Sequence, residues 1–590
     1  MSFKIRMASL AALLTFLLTG CNGGDNNTSS VPQTAQASSY ESKAFNISDM
    51  FSDRDTDASY DSSSAKSVTL SNKTVTIASG GTYTVSGSIA DGQIIIDASK
   101  DDKIQIVLEG VDITSESSAA IYVKQADKVF ITLAEGSVNK LTNRGSFTAD
   151  GDTNVDGVIF SKDDLTINGR GSLQITSSDH GITAKDDLVI ASGDISVKAA
   201  SHAICAKDSI RICGGKFSLD SGKDGLHAEN SEDTSLGYVY VSGGSFSIAS
   251  DGDGLDASAK LQIDGGSFDI VTGGGAENAS GSQGNDFGFG FGGYYGSQTE
   301  SDTVSCKGIK SSDALIVNGG SFTVDSADDA VHSNASLEVG GGSFDIRTGD
   351  DGFHADEALY ISEGTILIRE SYEGLEGLTI DITGGDITLT ASDDGMNAAG
   401  GNDQSGFGRP GGPMRPDAFG SSSNSWIKIL GGSLKINAGG DGVDSNGALY
   451  VSGGETYVSG PTNSGNGALD FGSVAEISGG VFVATGASGM AENFTSGSTQ
   501  GAIMITAQGG ANGPVALKDS GGKELLAFTP EKTYSSVVLS HPDIVKGEKY
   551  TVTVGSDSYE VEMNDIIYSI GGMGGMGGFG GPGGRPGAHY

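Results

Sequence analysis

Through most of the chain, apolar and polar residues alternate in short runs of three to five, as in Ala358-Leu359-Tyr360-Ile361-Ser362 and Thr365-Ile366-Leu367-Ile368. Period-two alternation of this kind predicts strands, and no stretch of useful length carries the 3.6-residue period of a helix. From residue 181 the pattern also repeats. A small residue followed by an apolar one recurs at Gly181-Ile182, Ala203-Ile204, Gly225-Leu226, Gly308-Ile309, Ala330-Val331, Gly352-Phe353 and Gly374-Leu375, often at intervals of 22 residues. Later copies are Gly395-Met396, Gly442-Val443 and Gly467-Ala468. A Gly-Gly turn before an apolar strand marks each period a second time, as in Gly243-Gly244-Ser245-Phe246 and Gly341-Gly342-Ser343-Phe344. Three strands and three turns in ~22 residues describe one coil of a right-handed parallel β-helix, all-β, whose coils stack ~4.8 Å apart.

Stacking turns each repeat position into a column. Phe217, Phe246, Phe268, Phe322 and Phe344 share one position and are expected to form an interior stack rather than a sugar-binding stripe. The residue before each anchor is usually acidic: Asp224, Asp253, Asp329, Asp351, Glu373, Asp394 and Asp441. Two places after the anchor come His227, Asp256, Lys310, His332, His354, Glu376, Asn397 and Asp444. Carboxylates ~4.8 Å apart on a water-facing rim repel by roughly 3–4 kcal/mol at an effective dielectric of about 20. Calcium, a hard ion that takes 6–8 oxygens, answers that repulsion best, with Asp224, Asp253, Asp256, Asp329, Asp351, Glu373, Asp394, Asp441 and Asp444 as candidate ligands. Solvated turn carboxylates are the bland alternative. His332 and His354 with Asp329 and Asp351 also suit a transition metal, although stacked imidazoles paired with carboxylates explain them more simply. Lys307 and Lys310 interrupt both columns on one coil. They read either as ammonium groups answering Asp329 and Asp253 or as a base and sugar contact beside the acids.

Composition narrows the function. Against 75 acidic residues stand 35 basic ones, a net charge of −40, which argues against nucleic-acid partners. Residues 1–20 read as an export signal: Lys4 and Arg6 precede the apolar run Ala8 to Leu18, too short to span a bilayer, and Leu18-Thr19-Gly20-Cys21 looks like a lipobox with Cys21 as the lipidated residue. A lipid-anchored protein of the cell envelope is expected. Residues 21–65 are polar and read as a disordered tether. Cys205, Cys213 and Cys306 form no disulfide framework and are expected in buried stacks, with a Cys205–Cys213 bridge as a minor alternative.

Several segments together resemble the bacterial carbohydrate-binding β-helix lipoproteins, whose fold is similar to pectate lyases. They include Gly81-Thr82-Tyr83-Thr84-Val85-Ser86-Gly87, Val107-Leu108-Glu109-Gly110-Val111-Asp112-Ile113, Lys162-Asp163-Asp164-Leu165-Thr166-Ile167-Asn168-Gly169 and Lys546-Gly547-Glu548-Lys549-Tyr550-Thr551-Val552. The resemblance implies polysaccharide binding (cellulose or acidic, pectin-like chains such as polygalacturonate), calcium in the helix, and no catalysis. A lyase of the same fold and a structural adhesin are the rivals. The β-helix is expected over 66–508, with low-complexity insertions at about 273–303 and 402–425, a small C-terminal β cap at 509–565 and a Gly-rich tail at 566–590. Tyr294 and Tyr295 in the first insertion, with Lys307 and Lys310, are weak candidates for contacting sugar.

Overall fold

The structure is a computed structural model that describes residues 41–279, 305–399 and 424–570. Cys21, Tyr294, Tyr295, most of both insertions and residues 571–590 of the Gly-rich tail lie outside the described residues, while the start of the expected tail forms a strand, Ile567–Ile570, paired with Ala502–Ala511.

Strands stack in parallel register, coil upon coil, in three sheets. One coil runs through Val331–Ser333, Ser336–Val339 and Ser343–Thr348. Each of these strands pairs in parallel with its equivalent in the neighbouring coils. The Gly-Gly strands form the first sheet, the short strands after the small-residue anchor form the second, and the remaining strands form the third. This is the expected parallel β-helix. Alternation sends every second residue inward, so Phe217, Phe246, Phe268, Phe322 and Phe344 stack in the interior with ring centroids 4.5, 4.6, 4.9 and 4.6 Å apart. The stack continues because neighbouring coils barely rotate: interplanar angles are 3°, 2°, 5° and 9°.

Glycine is dictated by space at two repeated places. Gly266 holds φ +121°, and a Cβ there would lie 3.0 Å from the ring of Phe268. At the anchor, a Cβ on Gly352 would meet Ile368 at 2.5 Å and the Gly374 carbonyl at 2.6 Å.

Parallel stacking ends after Val474–Gly486, which pairs antiparallel with Tyr534–Ser540. Beyond it, Val515–Asp519, Glu524–Phe528, Lys549–Val554 and Asp557–Glu562 form a four-stranded antiparallel sheet. That sheet has its own core of Leu517, Val552, Val554 and Met563. It closes the end of the solenoid, where strand edges would otherwise be left unpaired.

Residues 41–65 correct the expected tether. They form a strap that crosses the outer face of the third sheet from later coils to earlier ones. Ser42 donates to Glu338, and the Phe45 amide donates to Gln262 at 2.6 Å. The Phe45 ring packs on Tyr238 and Tyr240, and Arg211 donates to the Met50 carbonyl. The helical turn Asp53–Thr56 is closed by a capping box between Ser52 and Asp55. Asp55 is buried, accepting from Thr166 at 2.7 Å and meeting the Lys128 ammonium at 2.8 Å. Burial opposes its charge, but Lys128, Thr166 and Ser52 hold it well below the ordinary carboxylate range. A few well-placed anchors order a segment whose composition alone reads as disordered.

Cys205, Cys213 and Cys306 are not joined to one another by disulfides. Cys205 stands in the second sheet between Thr183 and His227, whereas Cys213 follows a strand of the third, so the Cys205–Cys213 bridge does not form. Only Cys205 is fully buried.

Candidate functional site

The second sheet places one residue per coil in an unbroken ladder: Thr183, Cys205, His227, Asp256, Lys310, His332, His354, Glu376, Asn397, Asp444 and Asp470. The turn before each strand supplies the partner column. Here one carboxylate oxygen accepts the backbone amide of the equivalent residue one coil on. Asp224 accepts from Asp253 at 2.8 Å, Asp253 from Lys307 at 2.7 Å, Asp329 from Asp351 at 3.0 Å, Asp351 from Glu373 at 3.1 Å and Asp394 from Asp441 at 2.6 Å. The acids therefore line up along one edge, and an amide answers part of each charge.

Up to Glu376 the edge is largely buried rather than the water-facing rim expected from the sequence, while Asp394, Asp441 and Asp444 beyond it stay partly exposed. Asp329 is 0% exposed, His354 1%, Glu373 4% and Lys307 7%. These side chains form a buried charged spine, and what neutralises it differs along its length.

From Asp224 to His354 the spine contains both signs. Asp224 lies 3.0 Å from His202 and 2.9 Å from His227, and His227 also faces Asp256 at 3.1 Å. The rings of His180, His202 and His227 stack at 5.0 and 4.2 Å. Burial works against charge on His227, but Asp224 and Asp256 push its pKa up to about 10. Lys310 meets Asp253 at 3.1 Å and Asp256 at 3.6 Å. Lys307 meets Asp328 at 2.8 Å and Asp329 at 2.7 Å. Burial opposes the Lys307 ammonium, yet these acids hold its pKa well above the ordinary lysine value. His332 contacts Asp329 at 2.8 Å and stacks on His354 at 4.7 Å. His354 is set 3.1 Å from Asp351 and 2.5 Å from Glu376. Burial is again outweighed, by Asp351, Asp356 and Glu376, so His354 stays an imidazolium. Asp351 is raised, by burial first and then by Glu376 and Glu373.

Five of the candidate calcium ligands, Asp224, Asp253, Asp256, Asp329 and Asp351, thus already face imidazole or ammonium groups. The ligand atoms of His202, Asp224 and His227, and those of Asp351, His354 and Glu376, do gather within 4.8 Å. Imidazole–carboxylate pairing and ring stacking account for both groups. Lys307 sits inside this network and is not presented to a surface sugar.

Beyond His354 the described residues of the two columns include no further cation. The carboxylates of Asp394, Asp441 and Asp444 lie within 4.8 Å of one another. Among the described residues, no lysine, arginine or histidine forms an ion pair with them. Burial, with Asp393, Asp444 and Asp441 adding to it, pushes Asp394 up to about 9. Burial, then Asp441 and Asp470, pushes Asp444 up to about 7. In the preceding coil Glu373 accepts from Asn397 through one oxygen, while its other oxygen, Oε2, and the Asn397 Oδ1 are buried without a partner. Asp470 and Glu492 border the same cluster electrostatically. Asp470 escaped the sequence reading because the last anchor is one residue later than Gly467: the Gly442 amide donates to the Gly467 carbonyl, so Ala468 is the anchor and Asp470 joins the ladder. Two adjacent small residues hid that shift.

The chain has relatives of known description. Residues 71–352 match the family model described as carbohydrate-binding domain-containing protein. A protein of that description from Acetivibrio thermocellus is 34% identical over 196 residues, which are 33% of this chain and 64% of the relative, so the chain spans less than two thirds of that relative's length. A solved polysaccharide lyase-like protein from C. thermocellum, studied as a gadolinium derivative, is 33% identical, with 35% of this chain and 89% of that one covered and a TM-score of 0.33. Through residues 71–352, the coils from the first strands to the histidine-bearing part of the spine, this chain is similar to the carbohydrate-binding domain-containing proteins.

Proposed function

We propose that this protein is a lipid-anchored, calcium-binding protein of the cell envelope that holds polysaccharide, cellulose or pectin-like chains, without cleaving it. The family match supports the sugar. The observation that carries the calcium reading is the end of the spine, where no cation among the described residues pairs with the acids. Asp394, Asp441 and Asp444 converge there, and two buried oxygens lack hydrogen-bond partners nearby: Asn397 Oδ1 in the Asp394 coil and Glu373 Oε2 in the coil before it. The donor set is all oxygen, which suits a hard ion of flexible geometry better than magnesium or a transition metal. Glu373, Asp394, Asn397, Asp441 and Asp444 would hold it. Bound there, calcium would supply the positive charge that the earlier coils take from histidine and lysine.

Support for binding without turnover comes from Lys307 and Lys310. A base that removes a sugar proton must be a neutral amine at working pH. Both lysines are instead held protonated by the acids around them. Cys21 supports the anchor as the residue that follows an export signal.

Incubating the purified protein with polygalacturonate and calcium tests the reading. Retention of polymer with no unsaturated product is expected, and sustained product absorbance would establish the lyase instead. Fatty-acid labelling of the expressed chain, abolished by Cys21→Ser, is the expected result for the anchor.

A further inference from the structure

Where strands of the first sheet run into the turns of the spine, the outer face carries a groove of about 450 Å³, the size of a small-ligand site. Its floor follows one outward position through five coils in direct register: Thr176, Lys198, Asp220, Ala249 and Val271. Rungs ~4.8 Å apart make this a channel roughly 19 Å long, parallel to the solenoid axis. One end is closed. The rung after Val271 is Asp325, and the helical turn Ala276–Asn278 begins on top of it, with the Ala276 amide donating to the Asp325 carboxylate at 2.8 Å. The backbone before that turn lies so close that a Cβ on Gly275 would meet the same carboxylate at 2.8 Å. The chain therefore crosses the face of the sheet there and turns an open ladder into a groove with a wall.

The lining offers what an uncharged sugar chain uses. Ala249 and Val271 are apolar and exposed, a floor that the C–H face of a sugar ring can cover. Next to them the exposed Lys198 and Asp220 pair with each other, which sets a donor and an acceptor side by side. Among the described residues, nothing hydrogen-bonds the second Asp220 oxygen, the Thr176 hydroxyl or the Asp251 carboxylate at the groove's side. Charge selects among glycans. One ammonium stands against two carboxylates in this lining, in a chain of net charge −40, so a polyanion is repelled and a neutral polyhydroxyl chain is not. The whole groove lies within residues 71–352, the part that matches the carbohydrate-binding model.

We propose that this groove binds a neutral oligosaccharide stretch of a polysaccharide, laid along the solenoid axis from Thr176 to Val271 with its end against the Ala276–Asn278 turn. The site rests on the carbohydrate-binding reading and narrows it to an uncharged chain.

The test titrates the calcium-loaded full chain calorimetrically with cellohexaose, xylohexaose and mannohexaose, and with polygalacturonate as the charged polymer. Saturable binding of a neutral hexaose is expected. Ala249→Gln sets an uncharged side chain into the floor from an exposed strand position and should weaken that binding about tenfold, and Asp220→Ala, which removes an acceptor, should do the same. Ser343→Gln, on the same face beyond the Asp325 wall, should bind as the wild type does, and all three variants should melt as the wild type does. Unchanged affinity in both groove variants would overturn this site while leaving carbohydrate binding intact. An equal loss in Ser343→Gln would overturn it too, by spreading the contact over the whole face. Binding of polygalacturonate but of no neutral hexaose would overturn the neutral class of ligand, and no binding of any glycan would overturn the underlying reading with it.

Discussion

Two stretches of the same spine share register and backbone hydrogen bonding, yet differ in exposure and in what stands opposite their acids. Between Asp224 and His354, each carboxylate faces an imidazole or an ammonium group. Between Asp394 and Asp444, acid faces acid, and the proton affinities of Asp394 and Asp444 rise to about 9 and about 7. Stacking therefore does not by itself require a metal. A column of acids can be neutralised from within, coil by coil, and a bound ion is proposed only where the described residues supply no cation.

The largest effect should come from unbalancing the balanced stretch. Lys307→Met leaves Asp329 fully buried without its ammonium partner, and a loss of ~3–5 kcal/mol in denaturant unfolding is expected. A loss below ~1 kcal/mol would mean that the spine tolerates bare charge and that the contrast between the stretches has no energetic content.

Calcium should act on the other stretch alone. At about 100 times its dissociation constant, the ion should add ~2.7 kcal/mol to the stability of the wild-type chain. The double variant Asp394→Asn/Asp441→Asn should lose that increment. An undiminished calcium response in the variant would move the ion elsewhere.

Proton linkage separates the two stretches further. The pKa of His227 is raised, so its contribution is complete below its ordinary value near 6.5 and is lost as pH rises through about 10. Asp394 and Asp444 are raised carboxyls: the native state keeps protons that the unfolded chain has released, so stability falls as pH rises toward about 7 and then about 9. Both stretches weaken with alkali, but calcium should replace the protons of the second only. Melting temperatures from pH 5 to 10, with calcium and with chelator, should differ most between pH 7 and 9. Parallel curves would contradict this.

The smallest effect belongs to the surface. Lys198 pairs with Asp220 on the exposed first sheet, and Lys198→Ala should change stability by no more than ~0.5 kcal/mol in either buffer.

Much of this was legible in the sequence. The 22-residue interval set the coil, the shared position of the five phenylalanines set the interior stack, and Lys307 and Lys310 stood out as the coil where ammonium groups answer Asp329 and Asp253. Burial of the spine was not legible, because a turn acid beside glycine reads as solvated whatever later covers it. The strap was hidden for a related reason: its hold depends on Phe45, Met50, Phe51 and Asp55 meeting partners more than a hundred residues away, which no local composition reveals. Trp426 follows the second insertion, where the repeat is interrupted, so its place in the third sheet emerged only from the strand register.

The most direct measurement is a crystal of the full chain grown with calcium, with the ion located by its anomalous signal. Density is expected among Glu373, Asp394, Asn397, Asp441 and Asp444, and none is expected beside His202, His227, His332 or His354. An ion seated among those histidines, or none near Asp394 at saturating calcium, would show that the spine is neutralised in some other way.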